Sequence, residues 1–196
     1  MGWLNLLKSS TMKIISTNIG ERKELIYKKK KVITGIFKFP VEEPVFLDLE
    51  KVKGDAICDR ENHGGINQAI YGYSLKHYDF WKPLYPNLEW SLGVFGENLT
   101  IDDLDETKIH VGDTFKVGEA ILEATLQRNP CYKLGIRFND MKIVKQLWNT
   151  TFCGVYFKVL QIGFVKAGDE FVQIKSGKEN LTIADLLMKR KKEKGI

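Results

Sequence analysis

The chain has few cysteines, and their spacing excludes several kinds of metal site. Its 196 residues include three, Cys58, Cys131 and Cys153, with no C-x-x-C pair and no even framework for disulfides. This spacing excludes a four-cysteine iron–sulfur cluster and the usual zinc sites. It is typical of a reduced, cytoplasmic protein, which we expect here. Cys58 and Cys153 have apolar neighbours and are expected in the core.

Several catalytic motifs and targeting segments are also missing. The sequence contains no H-E-x-x-H motif, no G-x-S-x-G motif and no glycine-rich dinucleotide fingerprint. No run approaches the roughly 18 apolar residues that a membrane-spanning helix needs, and the start lacks the basic lead of a signal peptide. We therefore expect no membrane partner. A redox enzyme built from this chain would have to receive its electrons from another protein.

Positive charge is scarce outside the C-terminus. The net charge is +5, and the residues from Lys175 onward carry +4 of it. The nearly neutral body does not suggest a nucleic-acid face, so no nucleic-acid partner is expected. A second basic run, Lys28 to Lys31, favours a solvated strand or hairpin over a binding patch.

Short apolar runs between scattered glycines are typical of a mainly β protein. The segments Gly112–Phe115 and Gly168–Phe171 share a Gly-Asp start and predict tight turns that lead into strands. Together these features predict a hairpin-rich β-barrel. The predicted strands are 45–49, 69–73, 94–95 with 98–101, 120–125, 155–160 and 171–174.

Three helices are predicted from capping residues and apolar stripes. Ser74 suits the start of a helix over 75–84, and Asp140 the start of one over 141–150. Asn180 or Thr182 suits the start of a basic helix over 183–192. The expected organisation is an N-terminal extension at 1–11, a barrel domain at 12–175 and a short basic helical tail at 176–196.

One segment predicts a reactive thiol. Pro130 fits the first turn of a helix, where its missing N–H costs nothing, so Cys131 would be the second helical residue. Unpaired backbone N–H groups and the helix dipole lower the pKa of a thiol there, and Arg128 adds a cation. The segment therefore indicates a nucleophile or a soft metal ligand. A buried structural cysteine beside a structural arginine fits it equally well.

A polar loop over 59–67 is the second candidate site. Gly64 and Gly65 permit a close approach of the backbone to a ligand. Arg60 offers a planar fork for a phosphate or carboxylate, and His63 titrates near neutral pH. A plain loop with a hydrogen-bonded histidine explains the segment as well. A third and weaker signal is Asn98, a hydrogen-bonding amide at the start of a predicted strand.

These segments together resemble the MOSC domain, which is found at the C-terminus of molybdenum cofactor sulfurases. The similarity covers roughly Ile14 to Ile174 and is greatest to the stand-alone bacterial YiiM type. The motifs that carry it, in order, are Arg60…His63-Gly64-Gly65…Ala69…Tyr71, Phe95–Leu99, Gly112-Asp113…Gly118 and Arg128–Leu134.

The resemblance implies a mainly β (α+β) barrel with a few short helices and a C-terminal helix. It implies binding of the molybdenum cofactor (molybdopterin), and pyridoxal phosphate is not expected. Cys131 would be the molybdenum ligand and a catalytic residue, with His63 as a catalytic proton donor. The cofactor-binding residues that the resemblance implies are Arg60, Gly64, Gly65, Asn67, Asn98 and Arg128.

The implied activity is reduction of small N-hydroxylated compounds, including hydroxylaminopurine base analogues, with electrons from a separate reductase. Two alternatives stay open: a sulfur carrier with a persulfide on Cys131, and a non-catalytic cofactor-binding protein. A homodimer is also left open. YiiM-type chains usually continue into several C-terminal helices, whereas only one fits after Thr182 here.

Overall fold

The fold is described by a computed structural model over residues 11–56, 58 and 64–196. The predicted extension at 1–11 therefore lies almost wholly outside the described residues. The strands are β1 (Met12–Gly20), β2 (Lys23–Tyr27), β3 (Lys30–Thr34), β4 (Lys38–Val41), β5 (Val45–Leu47), β6 (Ile70–Ser74), β7 (Leu99–Ile101), β8 (Thr114–Val117), β9 (Ala120–Gln127), β10 (Val155–Gln161), β11 (Gly163–Val165) and β12 (Glu170–Lys175). The helices are α1 (Leu75–Trp81), α2 (Tyr132–Phe138), α3 (Lys142–Trp148) and α4 (Ile183–Glu193), with 3-10 turns at Ile66–Gln68 and Lys82–Leu84.

Seven of the described strands close into a barrel. Their order is β12-β8-β9-β10-β6-β7-β1. The start of β1 pairs back onto β12 and closes the ring, and the Thr17–Gly20 end of β1 pairs with β4. The pairs are antiparallel except β6 with β7, which run parallel. Closure leaves no open sheet edge in the ring, which removes a template for aggregation. The expected hairpin-rich barrel with a few short helices is confirmed.

The two predicted Gly-Asp turns lead into β8 and β12. Gly112 and Gly168 have φ angles of 87° and 91°, which favour glycine because a Cβ would be strained there. After Gly112, the buried carboxylate of Asp113 accepts the N–H groups of His110 at 2.8 Å and of Gly177 at 2.7 Å. These bonds tie the turn to the segment before α4.

Two apolar clusters flank the barrel wall. Inside the barrel, the rings of Phe115, Phe157 and Phe171 pack together, with Phe115 and Phe171 at 4.8 Å between centroids. A second, more aromatic cluster packs around Tyr73 and Phe95, whose rings stack at 4.3 Å. This second cluster includes side chains of α1, α2 and α3, so it fixes the short helices against the outside of the wall.

The C-terminal helix α4 is capped as the sequence predicts. Thr182 Oγ1 accepts the N–H of Asp185 at 3.0 Å, and the Asp185 carboxylate accepts the N–H of Thr182 at 3.2 Å. This reciprocal capping box fixes the start of the helix. Leu187 is fully buried in the barrel cluster. Within the described residues, no helix is both long enough and apolar enough to cross a membrane.

The packing of α4 gives a stability prediction with a neighbouring control. Leu187→Ala should lower the free energy of unfolding by about 2–4 kcal/mol, because it leaves a cavity under the helix. Met188→Ala, at a side chain that is 51% exposed, should change it by less than about 0.5 kcal/mol. Urea unfolding followed by circular dichroism measures both. Equal effects would show that α4 is not docked.

Candidate functional site

A pocket beside the barrel collects side chains from segments that are far apart in sequence. Its empty volume, which includes the open solvent at its mouth, is about 640 Å³. Its lining comprises Thr34, Gly35, Ile36, Lys38, Asp55, Ala56, Cys58, Gln68, Ala69, Tyr71, Gly96, Asn98, Arg128, Cys131, Lys133 and Tyr156.

Cys131 is half-buried and lines this pocket. The prediction that it is the second residue of a helix is wrong, because α2 begins at Tyr132 and Cys131 is its N-cap with φ −128° and ψ 166°. The extended chain that leaves β9 continues through Pro130 and turns helical one residue after Cys131. Its carbonyl then accepts the N–H of Leu134 at 3.0 Å.

Arg128 brings a buried positive charge to the same pocket. Its guanidinium lies over the ring of Tyr71, 5.0 Å from the centroid. Burial disfavours its charge, but attraction to the groups of Tyr71, Tyr156 and Cys131 outweighs burial, so the pKa of Arg128 is raised. The Tyr71 hydroxyl donates to the carbonyl of Cys153 at 2.9 Å. The cation is therefore held in place by a ring that is itself anchored.

A buried ion pair forms another part of the lining. Lys38 Nζ contacts Asp55 Oδ2, and both side chains are almost fully buried. Asp55 also accepts the amide of Asn98 at 3.0 Å and the N–H of Gly20 at 2.9 Å. Burial lowers the pKa of Lys38, against the attraction of Asp55, which favours its charged form. Buried charges need such partners to persist.

A polar loop after residue 92 holds Asn98 in position. Glu97 is fully buried and accepts hydrogen bonds from Tyr78, from Thr100 at 2.9 Å and from the N–H of Gly93 at 2.9 Å. Burial raises the pKa of Glu97, although these bonds favour its charged form. Hydrogen bonds within the protein thus satisfy the Glu97 carboxylate at the centre of the loop. They also fix the position of Asn98, the next residue.

Comparison with known families identifies the domain that carries this pocket. A family model described as the MOSC domain matches residues 59–172, more than half of the chain. The chain belongs to the MOSC domain family. The predicted resemblance is therefore confirmed, and nine of the sixteen lining residues of the pocket lie within the matched range.

Individual relatives agree with this assignment. The protein YflK of Bacillus subtilis (strain 168) is 34% identical over 177 residues, which cover 90% of this chain and 80% of YflK. The crystal structure of YiiM from Geobacillus stearothermophilus superposes with a TM-score of 0.77 and 30% identity, covering 94% of this chain and 86% of YiiM. A protein of Gibberella moniliformis named "Reductase" is 32% identical over 142 residues, 70% of this chain and 25% of that protein.

The MOSC pocket contains three of the predicted site residues: Asn98, Arg128 and Cys131. Asn98 is largely engaged by the protein, since its Oδ1 accepts the N–H of Tyr71 at 3.2 Å and its Nδ2 donates to Asp55 and to the carbonyl of Asn18. The amide of Asn98 is therefore fixed by partners on three separate segments of the chain.

The described part of the glycine loop lies outside the pocket lining. Gly65 has a φ of 91° and precedes a 3-10 turn, and Gly64 comes directly before it. The carbonyl of Asn67 accepts the hydroxyl of Thr125 at 2.6 Å. Arg60 and His63 lie outside the described residues, so their roles stay predictions.

Several residues that line the pocket were not predicted from the sequence. The Lys38–Asp55 pair joins residues from separate elements, so no local pattern reveals it, although a lysine within the apolar run 36–41 is a signal. Cys58 was expected in the core, and this is wrong: it is half-buried in the lining because it belongs to the loop that carries Asp55, and not to a strand. Burial raises the pKa of its thiol.

The buried pair gives a second stability prediction. Asp55→Asn should lower the free energy of unfolding by about 3–5 kcal/mol, because Lys38 is left buried without its counter-charge. Asp103→Asn breaks an exposed pair with Lys76 and should cost less than about 1 kcal/mol. Chemical denaturation measures both.

The stability of the Asp55→Asn variant should also depend on pH in a defined direction. Without Asp55, the folded-state pKa of Lys38 drops further below its ordinary value. Between that pKa and the ordinary value, the unfolded chain binds the proton more tightly, so stability should rise with pH. Repeating the denaturation at about pH 7 and about pH 9.5 should show partial recovery of Asp55→Asn. A flat profile would contradict a charged, unpaired Lys38.

Proposed function

We propose that this MOSC protein binds the molybdenum cofactor and reduces N-hydroxylated compounds of the hydroxylaminopurine type. The observation that carries the proposal is the thiol of Cys131 in an open pocket that also contains the fixed cation of Arg128. The MOSC domain is associated with the molybdenum cofactor, and one relative is named a reductase. Cys131 is the proposed metal ligand.

The donor set suits this cofactor. The described residues contain no group of three or more His, Cys, Asp or Glu side chains that could hold a metal ion alone. A metal held by Cys131 would therefore need further ligands, which a pterin dithiolene supplies as soft sulfurs. The cofactor phosphate needs cations, and Arg128 and Lys133 lie in the lining. Within the described part of the pocket, Gln68 Oε1 is buried without a hydrogen-bond partner and could accept from a pterin N–H.

The reaction converts R–NH–OH, two electrons and two protons into R–NH₂ and water. When bound, the cofactor supplies the redox centre at which the N–O bond breaks. Cys131 would anchor that centre, and the buried guanidinium of Arg128 would supply a fixed positive charge to the site. The Lys38–Asp55 pair lines the same pocket, and His63 is the proposed proton donor. Because the sequence has no dinucleotide fingerprint, we propose that a separate reductase supplies the electrons.

Two cysteines in one pocket provide a matched test. Cys131→Ser should lower both the molybdenum content and the viologen-driven reduction of 6-hydroxylaminopurine by roughly 100-fold or more, because the metal loses its thiolate ligand. Cys58→Ser changes a thiol in the same lining and should keep both within about threefold. Proteins co-expressed with the cofactor synthesis genes are compared by metal analysis and by product chromatography.

Other results would contradict the proposal. A gain of one sulfur on Cys131 after incubation with a cysteine desulfurase, with no molybdenum retained, would identify a sulfur carrier. Molybdenum retained without any viologen-driven turnover would identify a non-catalytic cofactor-binding protein. Equal losses of molybdenum and of activity in Cys131→Ser and Cys58→Ser would contradict the proposal that Cys131 is the metal ligand.

A further inference from the structure

The hairpin of β2 and β3 contributes to the pocket at its base and contacts the start of α2 near its tip. Thr34, the last residue of β3, is part of the pocket lining. Near the tip, the ring of Tyr27 stacks on the ring of Tyr132 with 6.2 Å between centroids. Tyr132 directly follows Cys131 in the chain. The hairpin thus packs, near its tip, against the residue that follows the proposed metal ligand.

This tip carries unbalanced positive charge. Lys28, Lys29 and Lys30 are all exposed, and none of them forms an ion pair with a described residue. The nearest acidic residue in the hairpin, Glu24, is already bound by Lys31 at 2.6 Å and by Arg22 at 3.3 Å. A partner that approaches the pocket from this side therefore meets a cluster of uncompensated cations.

The backbone of the tip disfavours the residues that occupy it. Lys28 and Lys29 have φ angles of 48° and 62°, in the left-handed region. A two-residue hairpin turn of this kind prefers Asn-Gly or Asp-Gly. The other non-glycine residue with positive φ in the described chain is Asn139, a type that tolerates it. Lys28 and Lys29 therefore occupy a turn whose positive φ angles favour other residues. Residues in such strained conformations cluster at functional sites.

An apolar side chain completes the surface. Ile26, next to Tyr27 on β2, is 73% exposed and pairs in register with Lys31. In a docking surface, charges steer the encounter and apolar contact holds it. Ile26 provides such an apolar contact next to the lysines of the tip.

We propose that the hairpin tip, residues 26–31, docks the acidic face of the redox protein that supplies electrons to the pocket. The inference rests on the proposed function, because a redox enzyme whose sequence has no dinucleotide fingerprint needs another protein to supply its electrons. The partner is a small protein with a flavin or iron–sulfur centre and carboxylates around that centre. Charge complementarity would bring the centre to the side of the pocket where Cys131 lies.

The experiment compares two neutralised surfaces in the cofactor-loaded protein. The test variant K28N/K29G/K30Q removes three charges and gives the turn its preferred residues, so misfolding does not explain a loss. The control K189Q/K192Q/K194Q removes the same charge from exposed positions on and just after α4, none of which lines the described pocket. Reduced plant-type ferredoxin, reduced flavodoxin and reduced methyl viologen serve as donors.

With ferredoxin or flavodoxin at low salt, the test variant should lose roughly tenfold or more in kcat/KM, and the control less than about twofold. Viologen-driven turnover should be unchanged in both. Added salt should slow the wild-type reaction with the protein donor and affect the test variant less. Equal losses in test variant and control, a loss with viologen, or no salt effect with either protein donor would overturn the docking site.

Failure of the proposed function is distinguishable from failure of the docking site. If the wild-type protein reduces no substrate even with viologen, the proposed function fails. Docking is then judged by calorimetric binding of oxidised ferredoxin and flavodoxin. Salt-sensitive binding to the wild type that the test variant loses supports the docking site. No binding of either protein, or hairpin-dependent binding of a DNA or RNA oligonucleotide or of anionic vesicles instead, overturns it.

Discussion

The arrangement of the pocket depends on one buried carboxylate. Asp55 binds the ammonium of Lys38 on β4, the amide of Asn98 before β7 and the N–H of Gly20 at the end of β1. Three segments that are distant in sequence are therefore held by the two oxygens of one side chain. Each bond also compensates the burial of the charge, so the cluster is stable only as a unit. Arg128 and Cys131, which we propose meet the ligand, belong to the pocket that this cluster shapes.

Local features were predictable from the sequence. The Gly-Asp turns, most of the short strands and the start of the last helix at Thr182 depend on neighbouring residues, and the structure confirms them. The predicted strand at 94–95 is wrong, because these residues lie in a turn whose N–H groups at Gly93 and Phe95 bind the Glu97 carboxylate. Arg128, Cys131 and Asn98 were found because they stand in motifs of a recognisable family. The Lys38–Asp55 pair was not predicted, because an ion pair between two separate elements leaves no periodic signal in the sequence. The predicted start of the helix at Pro130 was two residues too early, because an extended chain passes through Pro130 and Cys131 before the helix forms at Tyr132.

The proposed chemistry and the proposed docking surface share one structural element. The β2–β3 hairpin contributes Thr34 to the lining and places Tyr27 against Tyr132, the neighbour of Cys131. A partner bound at the tip would therefore lie next to the ligand site without entering it. Substrate and electrons would reach the pocket by separate routes. Outside its C-terminal tail the chain is nearly neutral, so it gives little long-range attraction to an acidic protein. A separate basic surface at the hairpin tip would supply that attraction.

The pairing of β1 with β12 also has a consequence for biosynthesis. Met12 pairs with Phe171, so the first described strand waits for nearly the whole domain before the ring is closed. During translation, the Met12–Lys13 end of β1 leaves the ribosome long before its partner strand β12 is made. The end of β1 that closes the ring therefore stays without its partner until the last strand of the barrel has been made.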